Sequence, residues 1–281
     1  NMATEIIILN CAECEPLLKL HRQVLENHAE EILYALSVIA ETVEASKVII
    51  AVKPAYKKAI AAVNKIIKNY KNTEIGLLPE IYPAGDEVVT IYETTGRVVP
   101  PGKIPISVGV TVFNVETALN IYNAVKNGTS VTHKFVTVAG EVKNPQTYFV
   151  PIGTTFEHLI KLSGGITRSD VTIVNGGPMT GTLATKFDVV KKNTNGILIL
   201  PDDNQVVRKK QAQTGISVMR AKSTCCQCRS CTDLCPRFLL GHPIKPSEFM
   251  KAVSTGNVTD APVLADSMYC VSCGICEMYA C

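Results

Sequence analysis

The feature that most constrains this sequence is the position of its cysteines. The chain has 281 residues and 11 cysteines, of which only Cys11 and Cys14 lie outside the stretch from Cys225 to Cys281. A secreted disulfide scaffold is short and carries cysteines along its whole length, so this distribution argues against one. We therefore expect an intracellular protein whose last fifth binds a metal.

Two motifs account for nearly all of these clustered cysteines. The first has the spacing C-x2-C-x2-C-x3-C-P of a [4Fe–4S] ferredoxin, and the second repeats its C-x2-C-x2-C triplet. Short spacers let one tight loop direct three thiolates at three irons, and in two-cluster ferredoxins the fourth ligand comes from the other motif. The expected ligands are Cys225, Cys228, Cys231 and Cys281 for the first cluster, and Cys270, Cys273, Cys276 and Cys235 for the second.

Two alternatives remain at this point. Zinc usually takes two CxxC pairs with a long spacer, so a pair of triplets fits a zinc-stabilised scaffold poorly. Cys226 is left over, either as a buried small hydrophobe or as a substitute ligand.

Paired clusters relay single electrons and supply no nucleophile or acid, so no catalytic side chain is expected. A two-electron donor would need a flavin upstream.

Composition excludes several classes of protein. The chain is 46% hydrophobic and has a net charge of +3, which rules out disorder. It has no long Lys/Arg run to indicate a nucleic-acid partner. No apolar run reaches the roughly 18 residues of a membrane span, and no signal peptide is evident. Neither end resembles a natural terminus, so we expect a piece of a longer protein.

The front of the chain alternates buried strands with helices, which predicts a parallel sheet of βαβ units. Strands are expected at 5–10, 47–52, 73–78 and 106–113. Helices are expected at 17–44, from Pro54 to about 70, and from Asn114 to about 126. Residues 82–97 are expected to form a loop followed by a short helix. His21 and His28 lie seven residues apart in the first helix and are expected at its surface. Cys11 and Cys14 are expected to pack within a loop.

The composition changes near Thr129. Strands at 135–140, 147–150, 171–175 and 196–200, with a helix at 154–163, predict a small α+β module in β-β-α-β-β order. Residues 205–219 contain a basic, polar stretch compatible with a helix, and a helix is expected at 246–255, between the two cysteine motifs. The expected domains are therefore residues 1–128, 129–204 and 205–281.

Several segments resemble the Rnf-complex C subunit and the related flavoprotein subunit of complex I. These segments are the acidic loops Asn10–Pro16 and Tyr82–Glu87, the NVET segment Asn114–Thr117, the apparent start of an SLBB β-grasp domain at Val136–Pro145, and the turn Gly176–Gly181. The resemblance covers almost the whole chain and includes the ferredoxin pair. The chain also resembles soluble relatives of this family, such as the cobalamin reductase of propanediol-utilising microcompartments and an electron-transfer protein associated with proline reductase.

The resemblance implies a multidomain α/β and α+β protein: a complex I flavoprotein-like (Rossmann-like) domain, an SLBB β-grasp domain and a helical two-[4Fe–4S] ferredoxin domain. It implies FMN and NADH beside the clusters, and the family's glycine-rich flavin loop would precede Asn1. Carboxylates on loops that follow strands can accept hydrogen bonds from ribose or flavin, and a helix start capped by Asn attracts phosphate. The expected cofactor-binding residues are Glu13, Glu15, Asp86, Glu87, Asn114 and Thr117.

The expected function is electron transfer from NADH through FMN and two clusters to a partner protein or a cobalamin-type acceptor. The alternative is a non-enzymatic relay that has no working flavin site in this chain. The β-grasp module is either a spacer that positions the clusters or a ligand-binding domain. We expect a cytoplasmic protein, located in a microcompartment or peripheral to an inner-membrane complex.

Overall fold

The computed structural model describes residues 3–256 and 261–280, which form two compact units. The first unit contains the chain up to Thr137 together with Gln146–Thr154 and Val189–Asn195. The second contains Val138–Pro145, Thr155–Asp188 and the chain from Gly196 onward. Among the described residues, no helix combines the length and the apolar character needed to cross a membrane.

A parallel four-stranded sheet forms the centre of the first unit. Its strands are β1 (Ile6–Asn10), β2 (Lys47–Val52), β3 (Thr73–Leu77) and β4 (Val110–Asn114), in the order β3-β2-β1-β4. β1 is an apolar run that is almost entirely buried, as expected for a strand covered on both faces. The chain places β2 and β4 on opposite sides of β1, so a ligand crevice is expected at the carboxyl ends of β1 and β4.

Five helices accompany this sheet. They are α1 (Leu20–Asn27), α2 (Ala29–Thr42), α3 (Lys57–Ile66), α4 (Glu87–Thr95) and α5 (Val115–Asn127). α1 packs against α3 and α5, and α2 packs against α5. The core of the unit joins alternate residues of the central strands to the apolar faces of these helices, and it includes Ile7, Leu9, Leu25, Leu33 and Ile50.

Four predictions for this unit need correction. The helix predicted at 17–44 is two helices, because His28 leaves helical geometry at φ −130° and caps α1. Pro54 lies in a turn before α3, closed by a hydrogen bond from the Tyr56 N–H to the Lys53 carbonyl. The strand predicted at 106–113 begins only at Val110, because a 3-10 turn precedes it and ends at Gly109 with φ +72°. His21 is buried rather than at the surface.

The second sheet contains five strands. They are β5 (His133–Gly140), β6 (Gln146–Pro151), β7 (Val171–Asn175), β8 (Thr182–Ala184) and β9 (Gly196–Pro201), in the order β6-β5-β9-β7-β8. β7 is antiparallel to both β8 and β9. Helix α6 (Phe156–Leu162) buries Phe156 completely. Strand β8 was not predicted, because three residues are too few for periodicity to detect, so the predicted β-β-α-β-β order lacks one strand.

Short helices make up the last part of the second unit. They are α7 (Gln205–Gln211), α8 (Thr214–Thr224), α9 (Ser230–Asp233), α10 (Pro236–Leu239), α11 (Pro246–Thr255), α12 (Ala261–Asp266) and α13 (Ile275–Tyr279). The helix predicted at 246–255 is confirmed. The helix-compatible stretch predicted within 205–219 is confirmed as two helices, since the extended residues Ala212 and Gln213 separate α7 from α8.

Candidate cluster sites and nucleotide-binding crevice

The two cysteine loops share one backbone conformation. In each loop the residues on either side of the middle cysteine have positive φ: Gln227 at 57° and Arg229 at 66° in the first, Ser272 at 51° and Gly274 at 76° in the second. Each loop leads directly into a short helix, α9 or α13, and these helices pack against each other. Two left-handed residues turn the backbone sharply around the middle cysteine, so both loops have the compact form that a three-thiolate site needs.

Four of the predicted ligands line one cavity, which we call the second-cluster cavity. Cys235, Cys270, Cys273 and Cys276 all border this space of about 370 Å³. Burial and the three neighbouring thiols raise the pKa of Cys276 to about 11. Its thiol is therefore protonated at neutral pH, and a bound metal must displace that proton. Four sulfur ligands brought from two distant segments to one cavity fit an iron–sulfur cluster.

The first set of ligands lies in a more exposed setting. Cys225 and Cys231 are partly exposed, and Cys228 is exposed. A hydrogen bond from Ser230, 3.2 Å from the Cys228 sulfur, lowers the pKa of the Cys228 thiol. The predicted fourth ligand, Cys281, lies outside the described residues.

Cys226 is exposed, so the interpretation of this residue as a buried small hydrophobe is wrong. Within residues 3–256 and 261–280, no three His, Cys, Asp or Glu side chains are grouped closely enough to hold a single metal ion. A cubane differs from a single-ion site in that it spreads its four thiolates over four separate irons.

In the first unit, the two acidic loops contact each other directly. The Asn10 side-chain amide donates to the Gly85 carbonyl at 2.8 Å, and the Gly85 N–H points at the Cys14 sulfur at 2.7 Å. A Cβ added to Gly85 would lie 2.4 Å from the Ala12 carbonyl oxygen, so only glycine allows this approach. Cys11 is buried, and burial raises the pKa of both thiols, that of Cys14 to about 11. Both cysteines therefore pack within the loop.

A buried chain of polar groups connects the loop after β1 to the start of α5. The Asn114 oxygen accepts from the Glu116 N–H, so its amide nitrogen is the group that donates to His21 Nε2, at 2.9 Å. This contact leaves the proton of a neutral His21 on Nδ1, which lies 3.6 Å from Glu13 Oε2. Burial raises the pKa of Glu13, and His21 partly opposes that effect.

Two atoms of this polar network lack a close hydrogen-bond partner, which points to a ligand. Glu13 Oε2 and His21 Nδ1 are buried and face each other at 3.6 Å, which is longer than a hydrogen bond, and neither has a closer hydrogen-bond partner among the described residues. A buried polar group without a partner costs about 1–3 kcal/mol, so such atoms call for an explanation. They lie at the carboxyl end of β1, next to the start of α5, where the sheet topology expects a ligand. The donor set therefore fits a nucleotide or flavin, which carries hydroxyl, ring N–H and phosphate groups.

The other predicted cofactor residues are placed differently. The Asp86 carboxylate accepts from the Val88 and Val89 N–H groups and caps α4. Glu87 and Thr117 are exposed on the first turns of α4 and α5, and Glu15 is half-buried in the first loop. Asp86 thus has a structural task, and a cofactor-binding role for Glu15, Glu87 and Thr117 stays a prediction.

Two important residues were missed by sequence reasoning. His21 had no motif to mark it, and only the structure brings it between Glu13 and Asn114. Glu116, within the NVET segment, accepts from the Lys134 ammonium and from the Phe135 N–H at 3.0 Å. Glu116 is the second residue of α5, and a glutamate in the first turn of a helix is usually exposed. No sequence signal indicated that this one is buried.

Comparison with known proteins identifies three domains along the chain. The Nuo51 FMN-binding domain matches residues 1–123, the SLBB domain matches 135–183, and a 4Fe-4S dicluster domain matches 224–281. Together with the parallel sheet, these matches confirm the predicted fold class. They also support FMN and [4Fe–4S] clusters as the cofactors of this kind of protein.

Curated relatives extend beyond this chain. It is 40% identical over 278 residues to cobalamin reductase PduS of Citrobacter freundii, which covers 99% of the chain and 61% of the relative. It is 34% identical over 238 residues to the C subunit of the proton-translocating ferredoxin:NAD(+) oxidoreductase complex of Clostridium ljungdahlii, covering 84% of the chain and 49% of the relative. The chain thus spans about three fifths or less of these relatives.

A solved structure shows the same fold. In the H2-reduced NAD+-reducing [NiFe]-hydrogenase, a chain aligns with 95% of this one at a TM-score of 0.61 and 20% identity. The alignment covers 54% of that hydrogenase chain.

Proposed function

This chain is RnfC-like and related to the complex I flavoprotein subunit, and from that membership we propose that it belongs to an NADH-dependent flavin and iron–sulfur oxidoreductase. In this function, FMN when bound takes an electron pair from NADH, and two [4Fe–4S] clusters carry the electrons singly to an acceptor. One observation supports this proposal most directly: Cys235 of the first motif lines the same cavity as Cys270, Cys273 and Cys276 of the second motif.

Each polar residue at the end of β1 and the start of α5 has its own role in binding the cofactor. Glu13, whose Oε2 has no close hydrogen-bond partner, accepts a hydrogen bond from ribose hydroxyls or the flavin ring, and Asn114 fixes the helix start that faces phosphate. His21 keeps its Nδ1 proton directed at Glu13 and so holds that carboxylate in place. Burial of these groups excludes water from the donor end of the relay.

We propose the domain limits 1–128, 129–204 and 205–281 for this function. The matches at 1–123, 135–183 and 224–281 fall inside these limits and support them. The acceptor is a partner protein or a cobalamin-type cofactor, since one relative is a cobalamin reductase and another is the C subunit of a ferredoxin:NAD(+) oxidoreductase complex. We propose a cytoplasmic location, either in a microcompartment or peripheral to a membrane complex.

The proposal is tested in two steps. Anaerobic reconstitution of the chain should give about eight iron and eight sulfide, because each cube holds four of each. Stoichiometric zinc without iron would refute the cluster assignment. The full-length protein with added FMN should then reduce an artificial acceptor with NADH.

Glu13→Gln should slow the NADH reaction and leave the iron content unchanged. A full-length protein that binds flavin but ignores NADH would favour the non-enzymatic relay, in which the clusters pass electrons between docked proteins.

A further inference from the structure

The second-cluster cavity is not built from the ferredoxin motifs alone. Met179, Thr180 and Lys210 also line it, beside the cysteines. Met179 and Thr180 belong to the turn Gly176–Gly181, which lies inside the segment that matches the SLBB domain. Part of the β-grasp module therefore borders the place where the second cluster is proposed to bind.

The turn has a shape that only its glycines permit. Gly176 has φ +105°, and a Cβ added there would lie 3.0 Å from the Gly181 Cα. A Cβ on Gly181 would lie 2.3 Å from the Gly177 carbonyl oxygen, to which the Gly181 N–H already donates at 3.0 Å. The two ends of the turn therefore meet, and its tip presents Met179 and Thr180 to the cavity.

Two contacts hold this tip in place. Lys210, on α7, donates its ammonium to the carbonyls of Gly181 and Met179, the latter at 3.4 Å. On the opposite side, Gly274 of the second cysteine loop approaches so closely that an added Cβ would lie 2.9 Å from the Met179 carbonyl oxygen. The turn is thus clamped between a cation and the loop that carries three of the predicted ligands.

The charged side chains around the cavity favour an anionic occupant. Lys210 and Arg237 both line it, Arg237 being 7% exposed, and Glu277 is the one acidic residue among its described lining. Lys210 is half-buried, and a positive charge that is partly shielded from water acts more strongly on a neighbouring charge than one in bulk solvent does. Uptake of one electron makes a thiolate-bound cluster one unit more negative, so such cations stabilise its reduced form.

We propose that the Gly176–Gly181 turn is a wall of the second cluster's site, and that Lys210, which fixes this turn, raises the reduction potential of that cluster. The inference rests on the proposed function only in requiring both clusters. It gives the β-grasp module a task in this chain beyond that of a spacer. Lys210 is a positioning residue, since it acts through charge and through the turn rather than as a ligand.

The charge is tested by redox titration of the anaerobically reconstituted chain, followed by electron paramagnetic resonance. Lys210→Gln should lower one of the two midpoint potentials, so that at a fixed potential the reduced-to-oxidised ratio falls about tenfold, or 59 mV for a one-electron couple. Lys210→Arg keeps the charge and should restore the ratio. Arg208→Gln, an exposed cation on the same helix, should leave both potentials unchanged.

Three outcomes would overturn the inference. If the Lys210→Gln and Arg208→Gln variants each hold about eight iron and have the same two midpoint potentials, the inference is refuted and the proposed function stays intact. A shift of the same size in Lys210→Arg and Lys210→Gln would refute the role of charge. Wild-type chain that binds zinc and no iron would refute the proposed function, and this inference with it.

The wall is tested separately with two glycine variants. Gly274→Ala introduces both a strained φ and the contact with Met179, whereas Gly241→Ala has a similar φ of +84° and open space around the added Cβ. We expect Gly274→Ala to alter the spectrum of the second cluster and Gly241→Ala to leave it unchanged. Identical spectra in the two variants would contradict the close approach of the turn.

Discussion

Replacing Glu116 by Gln should destabilise the first unit strongly, although Glu116 is not among the predicted cofactor-binding residues. Glu116 and Lys134 form an ion pair in which each side chain is only 7% exposed. Glu116 also accepts from the Phe135 N–H at 3.0 Å, and Lys134 donates to the Asn195 side-chain oxygen at 2.9 Å. Removing one partner leaves a buried charge, and this typically costs about 3–5 kcal/mol.

The assay is urea denaturation of the apo chain followed by far-UV circular dichroism. Glu116→Gln and Lys134→Met should each lower the unfolding free energy by about 3–5 kcal/mol, and the double replacement should cost less than their sum. The exposed pair Lys47–Glu74, with nitrogen and oxygen 2.8 Å apart, is the control, and Lys47→Met should cost at most about 1 kcal/mol. Glu116→Gln no more costly than Lys47→Met, or strict additivity in the double variant, would refute the reasoning.

Three further predictions concern the same two units. Burial raises the pKa of Glu13 above its unfolded value, so the contribution of this carboxyl to stability is complete at acid pH and is lost as pH rises through the folded pKa. Glu13→Gln should therefore raise the unfolding free energy in urea at pH 8 but not at pH 4. Asn114→Ala should lower the unfolding free energy in urea by about 1 kcal/mol through loss of the cap. Gly153 has a φ of +95° and open space around it, so Gly153→Ala should lower the melting temperature only through a backbone strain of about 1–2 kcal/mol. Gly140→Ala should lower the melting temperature much further, because the added Cβ would lie 2.0 Å from the Ile199 carbonyl oxygen.

Much of the fold was predictable because strong local patterns determine it. The apolar strands β1 and β2, Asn114 as an N-cap and the helix after Pro246 all follow from residue type and periodicity. Where the backbone departs from periodicity, as in the break at His28, local geometry overrides the pattern, and the sequence carries only a weak signal for it.

The candidate sites were predictable to a different degree. The spacing of the cysteines reflects the geometry of one loop, so it could be interpreted directly. The place of His21 between Glu13 and Asn114 depends on tertiary packing, which no short pattern encodes. The same holds for Met179 and Lys210, which reach the second-cluster cavity from parts of the chain that lie before the first cysteine motif.

The crossed ligation of the two clusters is tested most directly by Cys235→Ser. In the structure Cys235 belongs to the first motif but lines the cavity of Cys270, Cys273 and Cys276. We predict that the reconstituted variant loses or alters the same paramagnetic signal that Cys273→Ser affects, and that the signal affected by Cys228→Ser stays intact. If Cys235→Ser instead removes the signal that depends on Cys228, the crossed assignment of ligands is wrong.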